Sequence, residues 1–145
     1  MERILLATDG SPSAEHALEV AVALANDTDA ALDIVAVRPR RIVGRAGSGG
    51  PINDLEAHGG VEHVLEDAAA RTAGLGRVAT QHALHGDPVE EISLLAGKLG
   101  ADLIVVGSRG HGVVVGTLLG SVSRGLATSS AIPVTVVRAP ERVPA

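Results

Sequence analysis

The chain of 145 residues contains no phenylalanine, tyrosine, tryptophan or cysteine. Without cysteine there is no disulfide, no thiolate nucleophile and no sulfur ligand for zinc. Without aromatic rings the core must be built from Val, Leu, Ile and Ala. A planar ligand would have to lie between aliphatic side chains and backbone, since no ring can stack on it. No apolar run approaches the ~20 residues needed to cross a bilayer, so no membrane partner is expected. Met1-Glu2-Arg3 runs directly into an apolar strand pattern without a leader, and a cytoplasmic location is expected. A net charge of −5 argues against nucleic acid as a partner. Lysine occurs only at Lys98, away from any glycine-rich loop, and Gly-Lys-Ser/Thr is absent, which excludes a Walker-type NTPase. Asp9-Gly10-Ser11-Pro12 cannot supply the Gly-x-Gly-x-x-Gly of a dinucleotide fold. The histidines make no metal site. His82 and His85 fall on opposite faces of a strand, His58 and His63 are five apart near a weak helix start, and His-Glu-x-x-His is missing.

Hydrophobic residues make up 46% of the chain, enough for one core in one domain over residues 1–145. Arg3-Ile-Leu-Leu-Ala7 reads as a buried strand ended by Thr8-Asp9-Gly10. Ser11-Pro12 then supplies an N-cap and a first-turn proline. Helical spacing of Ala14, Ala17, Leu18, Ala21, Val22 and Ala25 predicts a helix over residues 12–26. Leu32-Asp-Ile-Val-Ala-Val37 is a second strand, followed by a flexible loop over 38–53 rich in Gly and Arg. A helix is expected over 54–73, facing inward with Val61, Leu65, Ala68 and Ala69 and weakened early by Gly59-Gly60. A strand over 78–84, a helix over 89–99 after Gly86-Asp87-Pro88, a strand over 103–106, a helix after Ser121 and a strand at Val134-Thr-Val-Val137 complete the order, with a tail over 139–145. Strands alternating with helices predict right-handed βαβ units, a mostly parallel sheet and an α/β domain. Ligands of such sheets bind at the carboxyl ends of the strands, where Asp9, Val37, Gly86 and Gly107 all fall.

The chemistry-bearing motif is Gly107-Ser-Arg-Gly110, nine residues, then Gly120-Ser121. A buried strand opens into a glycine-rich loop that closes on the start of a helix. Glycines let backbone N–H groups approach an anion closely, and the helix start adds unpaired donors and a positive dipole end.

These residues resemble the nucleotide-binding signature of the universal stress protein family, Gly-x2-Gly-x9-Gly-Ser/Thr, without a gap. Thr8-Asp9-Gly10-Ser11, Gly86-Asp87-Pro88 and Ile132-Pro133-Val134 are similar to the family as well, so the resemblance covers nearly the whole chain. It implies a single-domain, Rossmann-like, five-stranded parallel sheet of order 3-2-1-4-5 with helices on both faces. It also implies a homodimer through Val134–Val137 and binding of ATP, with ADP or AMP as alternatives. Mg²⁺ or Mn²⁺ would be held through the phosphates.

Under that resemblance Gly107 and Gly110 would bring N–H groups to the phosphates and ribose; the plainer account makes them turn glycines. Gly120 and Ser121 would hold the outer phosphates, with Val122 donating beside them, unless Ser121 only caps its helix. Asp9 would accept from ribose or the adenine amino group, or merely stabilise its turn by bonding to Ser11. The Val37 backbone would pair with the adenine edge, while Ala7, Thr8 and Val106 would line the slot or belong to plain core. Arg109 would clamp phosphate or lie in solvent; Arg38, Arg40, Arg41 and Arg45 read as solvated. No general base is aimed at a γ-phosphate. The expectation is therefore an ATP-binding, nucleotide-dependent regulatory homodimer without efficient catalysis that presents a surface to a protein partner. A slow ATPase or a protein phosphorylating itself at Ser121 or Ser123, a module that binds no nucleotide, and a binder of AMP or a cyclic nucleotide are the alternatives.

Overall fold

The structure is a computed structural model and describes residues 1–39, 59–109 and 120–139. Most of the loop expected over 38–53, together with Gly110 and the end of the tail, lies outside the described residues. In chain order the elements are β1 (Arg3–Ala7), α1 (Pro12–Thr28), β2 (Ala31–Arg38), α2 (Gly60–Gly74), β3 (Ala79–His85), α3 (Pro88–Leu99), β4 (Leu103–Gly107), α4 (Ser121–Ser129) and β5 (Val134–Val137). The strands form one parallel sheet of order β3-β2-β1-β4-β5.

Both faces of the sheet are covered, which is why the central strands are continuous apolar runs rather than alternating ones. Ile4 and Leu6 of β1 pack with Ile34 and Ala36 of β2 against α1 and α2. Leu5, Ala7, Val35, Val37, Ile104 and Val106 pack on the other face against α3 and α4, through Ile92, Ala96 and Leu126. The small residues of α1, Ala14, Ala17, Ala21 and Ala25, are all buried and let that helix lie close to the sheet.

Local chemistry sets the helix ends. Ser11 caps α1 by accepting from the Ala14 N–H at 3.3 Å, with Pro12 opening the helix. The helix runs to Thr28, past the expected end, and stops where Asp29 turns left-handed at φ 58°. Helix α3 is capped by Asp87, whose carboxylate accepts from the Glu90 N–H at 2.9 Å. The expected helix over 54–73 is corrected at its start: Gly59, at φ 85°, is the N-cap of α2, so Gly59-Gly60 begins the helix instead of weakening its interior. The stretch before Gly59 is outside the described residues. The inner face of α2 is Val61, Val64, Leu65, Ala68 and Thr72, whereas Ala69 is only half-buried. Strand β3 begins at Ala79, one residue later than expected, and runs to His85.

Candidate functional site

Strand order reverses between β1 and β4. From β1 the chain leaves through α1 on one face, and from β4 it leaves toward α4 on the other. In sheets of this kind the ligand crevice lies above the carboxyl ends of the two strands at such a switch point. Ala7 pairs with Val106 on one side and Val35 on the other, so the residues expected to line a slot do meet there. Ala7 and Val106 are buried, while Thr8 and Asp9 are half-buried.

Strand β2 extends past the end of β1. The final rung on that edge among the described residues is the Thr8 N–H to the Val35 carbonyl, at 2.9 Å. In a parallel ladder the N–H and C=O of one residue point to the same neighbour and alternate along the strand. Val35 faces β1, and Arg38 faces β3 through its carbonyl, which accepts from the Gly86 N–H at 2.9 Å. Val37 consequently aims its N–H and C=O toward the β1 side, beyond the point where β1 has ended. A donor and an acceptor stand side by side there, and among the described residues no strand receives them.

The β1–α1 turn is internally satisfied. Asp9 Oδ1 accepts from the Ser11 N–H at 2.9 Å, and Thr8 Oγ1 accepts from the Gly10 N–H at 3.2 Å. The turn role of Asp9 is thus directly visible, carried by one carboxylate oxygen. The first turn of α1 faces protein: the hydroxyls of Ser11 and Ser13 both donate to the Arg109 carbonyl.

The start of α4 is built differently. Its N-cap is Gly120, which has no side chain to offer, and Ser121 is the first helical residue. Ser121 therefore does not cap the helix, and it is exposed. The Gly120 N–H is taken by the Ser108 carbonyl at 2.6 Å. The N–H groups of Ser121 and Val122, with the Ser121 hydroxyl, remain as donors without a partner among the described residues. Helix starts of this kind carry a partial positive charge.

Ser108 ties the neck of the signature segment. Its N–H donates to the Val137 carbonyl at 2.7 Å, and its carbonyl accepts from Gly120 and from Ser123 Oγ at 2.9 Å. Residues 109 to 120 thus leave and return at one point. Gly107 faces α1 closely: a Cβ there would fall 2.6 Å from Ser13 Oγ and 2.7 Å from the Ala14 nitrogen. Arg109 begins the segment with an exposed side chain, and Gly110 lies outside the described residues.

The sequence matches the universal stress protein family over residues 1–138. The chain belongs to that family. A universal stress protein of Bacillus subtilis, YxiE, is 33% identical over 94% of this chain and 98% of its own length. The solved structure of the hypothetical protein MJ0577 superposes with a TM-score of 0.79 at 27% identity, covering 97% of each chain. A universal stress protein solved in complex with cAMP superposes with a TM-score of 0.72 at 27% identity, covering 96% of this chain and 98% of that one. The parallel order of this universal stress protein agrees with that expected from its signature.

The sequence reading named Ser11 only for the α1 turn and Ser123 only as a phosphorylation candidate, and it missed the long-range bonds that these two, Ser13 and Ser108 make. Ser11, Ser13, Ser108 and Ser123 are all buried. It also missed Asp33, buried in β2, whose carboxylate meets Arg3 Nη1 at 2.6 Å and His82 Nε2 at 2.8 Å. The signal for Asp33 was a charge inside an otherwise apolar strand. For the distant partners of the serines there was none, because serine suits turns and helix starts whatever it bonds to. No helix among the described residues is long and apolar enough to cross a membrane. Among the same residues no group of three or more His, Asp or Glu could hold a metal ion.

Proposed function

We propose that this protein binds an adenine nucleotide, ATP foremost, across the crevice between β1 and β4, and acts as a nucleotide-dependent regulator without efficient catalysis. The observation that carries the reading is the start of α4. It is capped by a glycine, stands at the switch point of the sheet and carries N–H donors and a Ser121 hydroxyl that have no partner among the described residues. An anionic ligand supplies the acceptors such a helix start lacks. The Val37 N–H and C=O form the donor–acceptor pair that an adenine edge requires, consistent with a chain that has no ring to stack on the base. Asp9 keeps Oδ2 for ribose or the amino group. Gly107 and Gly110 would bring backbone N–H groups to the phosphates and ribose, and the exposed side chain of Arg109 would clamp phosphate.

Ser121 and Val122 would hold the phosphates. A cation such as Mg²⁺ or Mn²⁺ would be held through those phosphates, since the described residues offer no cage of their own; when bound it neutralises phosphate charge. The protein would work in the cytoplasm as a homodimer joined through β5, presenting to a partner a surface ordered by the nucleotide.

A chain without aromatic residues is nearly transparent where adenine absorbs, so the test is direct. Freshly purified protein is scanned in the near ultraviolet, denatured, and the released small molecules are run on ion exchange. An adenine band eluting as ATP supports the reading. A blank spectrum together with no uptake of added Mg-ATP rejects it. The neighbour bound to cAMP supports a second reading, an adenine ligand with a single phosphate. Binding that survives Ser121→Ala but not Asp9→Ala selects that ligand over ATP.

A further inference from the structure

Ser13 has no visible task within its own helix. Ser11 supplies the cap of α1, and Pro12 opens the first turn. Ser13 is 4% exposed, and its hydrogen bonds go to one residue 96 positions away. It donates to the Arg109 carbonyl and accepts from the Arg109 N–H at 3.2 Å. Ser11 adds a second donor to the same carbonyl at 3.1 Å. The backbone of Arg109 is therefore gripped at both its N–H and its C=O, although its side chain is exposed. Packing alone does not call for this grip, because Gly107 already brings β4 against Ser13 and Ala14. A backbone carbonyl at an exposed residue could be served by water instead. What the hydroxyl adds is direction: it sets the heading of the Arg109 backbone, and with it of the Arg109 side chain, as the chain leaves β4. The return of the chain is set by Gly120 and Ser123 on Ser108.

We propose that Ser13 is a positioning residue for the phosphate end of the site, acting through the Arg109 backbone and not by touching the ligand. The inference rests on the adenine-nucleotide reading above. Losing the hydroxyl leaves the Arg109 carbonyl to Ser11 alone and takes the partner from the Arg109 N–H, while the Val37 edge and the Asp9 turn stay in place. Affinity should then fall in proportion to what the phosphates contribute and not to what adenosine contributes.

The test compares wild type, Ser13→Ala and Ser13→Thr, each titrated with Mg-ATP and with adenosine by calorimetry. Amide hydrogen exchange is followed by NMR on the same proteins without ligand. Ser13→Ala should weaken ATP about five- to tenfold, the scale of one or two backbone hydrogen bonds. Its adenosine affinity should stay within about twofold, and exchange at the Arg109 amide should quicken. Ser13→Thr, which keeps the hydroxyl, should restore part of the ATP affinity. A general loss of fold would instead weaken both ligands and speed exchange throughout the sheet, and that result overturns the positioning role. Undiminished ATP binding by Ser13→Ala also overturns it, while leaving the nucleotide reading intact. Wild type that binds neither ligand overturns both.

Discussion

Gly107 stands against Ser13 so closely that a Cβ on the glycine would lie 2.6 Å from the serine hydroxyl and 2.7 Å from the carbon of the Ser13 carbonyl. The first glycine of the signature thus has a packing duty before any ligand arrives: it lets the end of β4 touch the first turn of α1. Gly107→Ala should force backbone against backbone and cost about 1–3 kcal/mol of stability. Urea denaturation of the two proteins measures it, and an unchanged midpoint would show that α1 can move aside.

Strand β5 offers a second prediction. The carbonyls of Pro133 and Val137 accept from Ile104 and Ser108, so alternate residues of β5 face β4 and Val136 faces outward along the edge. A proline at an outward-facing edge position removes only a donor that the sheet itself does not use. Val136→Pro should leave the fold intact by circular dichroism and abolish a dimer formed through β5, as read by light scattering. A wild-type monomer would refute the dimer, and a dimer that persists in the variant would place the interface elsewhere.

Asp102 fastens the opposite end of the sheet. Its Oδ2 accepts from the Glu2 N–H at 2.6 Å and the Arg3 N–H at 2.9 Å. These two bonds, that from Glu2 first, hold its pKa below the ordinary aspartate value. A group whose folded pKa is depressed stabilises the fold above its unfolded pKa, and that contribution is lost as pH falls through the folded value. Asp102→Asn should therefore be less stable than wild type near neutrality. The gap should close on acidification through and below the carboxylate range. Thermal melts over a pH series check this, and a gap independent of pH would refute it.

The buried carboxylate of Asp33 holds Arg3 and His82 from within β2, nearer the amino-terminal end of the strand than Val37. Asp33→Asn removes the charge from two charge-assisted bonds and should cost about 1–3 kcal/mol in chemical denaturation. Nucleotide affinity should be unaffected, since the proposed site lies at the other end of the strands. A matching loss of affinity would show that the two ends are coupled.

Much of the architecture was readable because its causes are local or periodic. Ser11-Pro12 marks the start of α1 by capping chemistry alone, and the alanine spacing after it names the buried face. The apolar runs of β1 and β4 announce strands covered on both sides. The Gly59-Gly60 pair was harder: glycine both weakens a helix and begins one, and only the positive φ of Gly59 decides between them. Ser121 was ambiguous for a similar reason. Serine before a helix reads as a cap, yet the cap here is Gly120, which leaves the Ser121 hydroxyl exposed.

By itself the sequence determined the order of strands and helices, the α/β class and the position of the glycine signature after β4, since each follows from spacing and turn chemistry within a short window. What only the tertiary structure decided is what meets across the sheet. Ser13 grips Arg109, Ser108 closes on Gly120, Asp33 is held between Arg3 and His82, and β2 outruns β1, so that among the described residues no strand meets the backbone of Val37. These contacts join residues distant in sequence, and a hydroxyl, a carboxylate or a peptide group carries no mark of its partner until folding brings the two within hydrogen-bond reach.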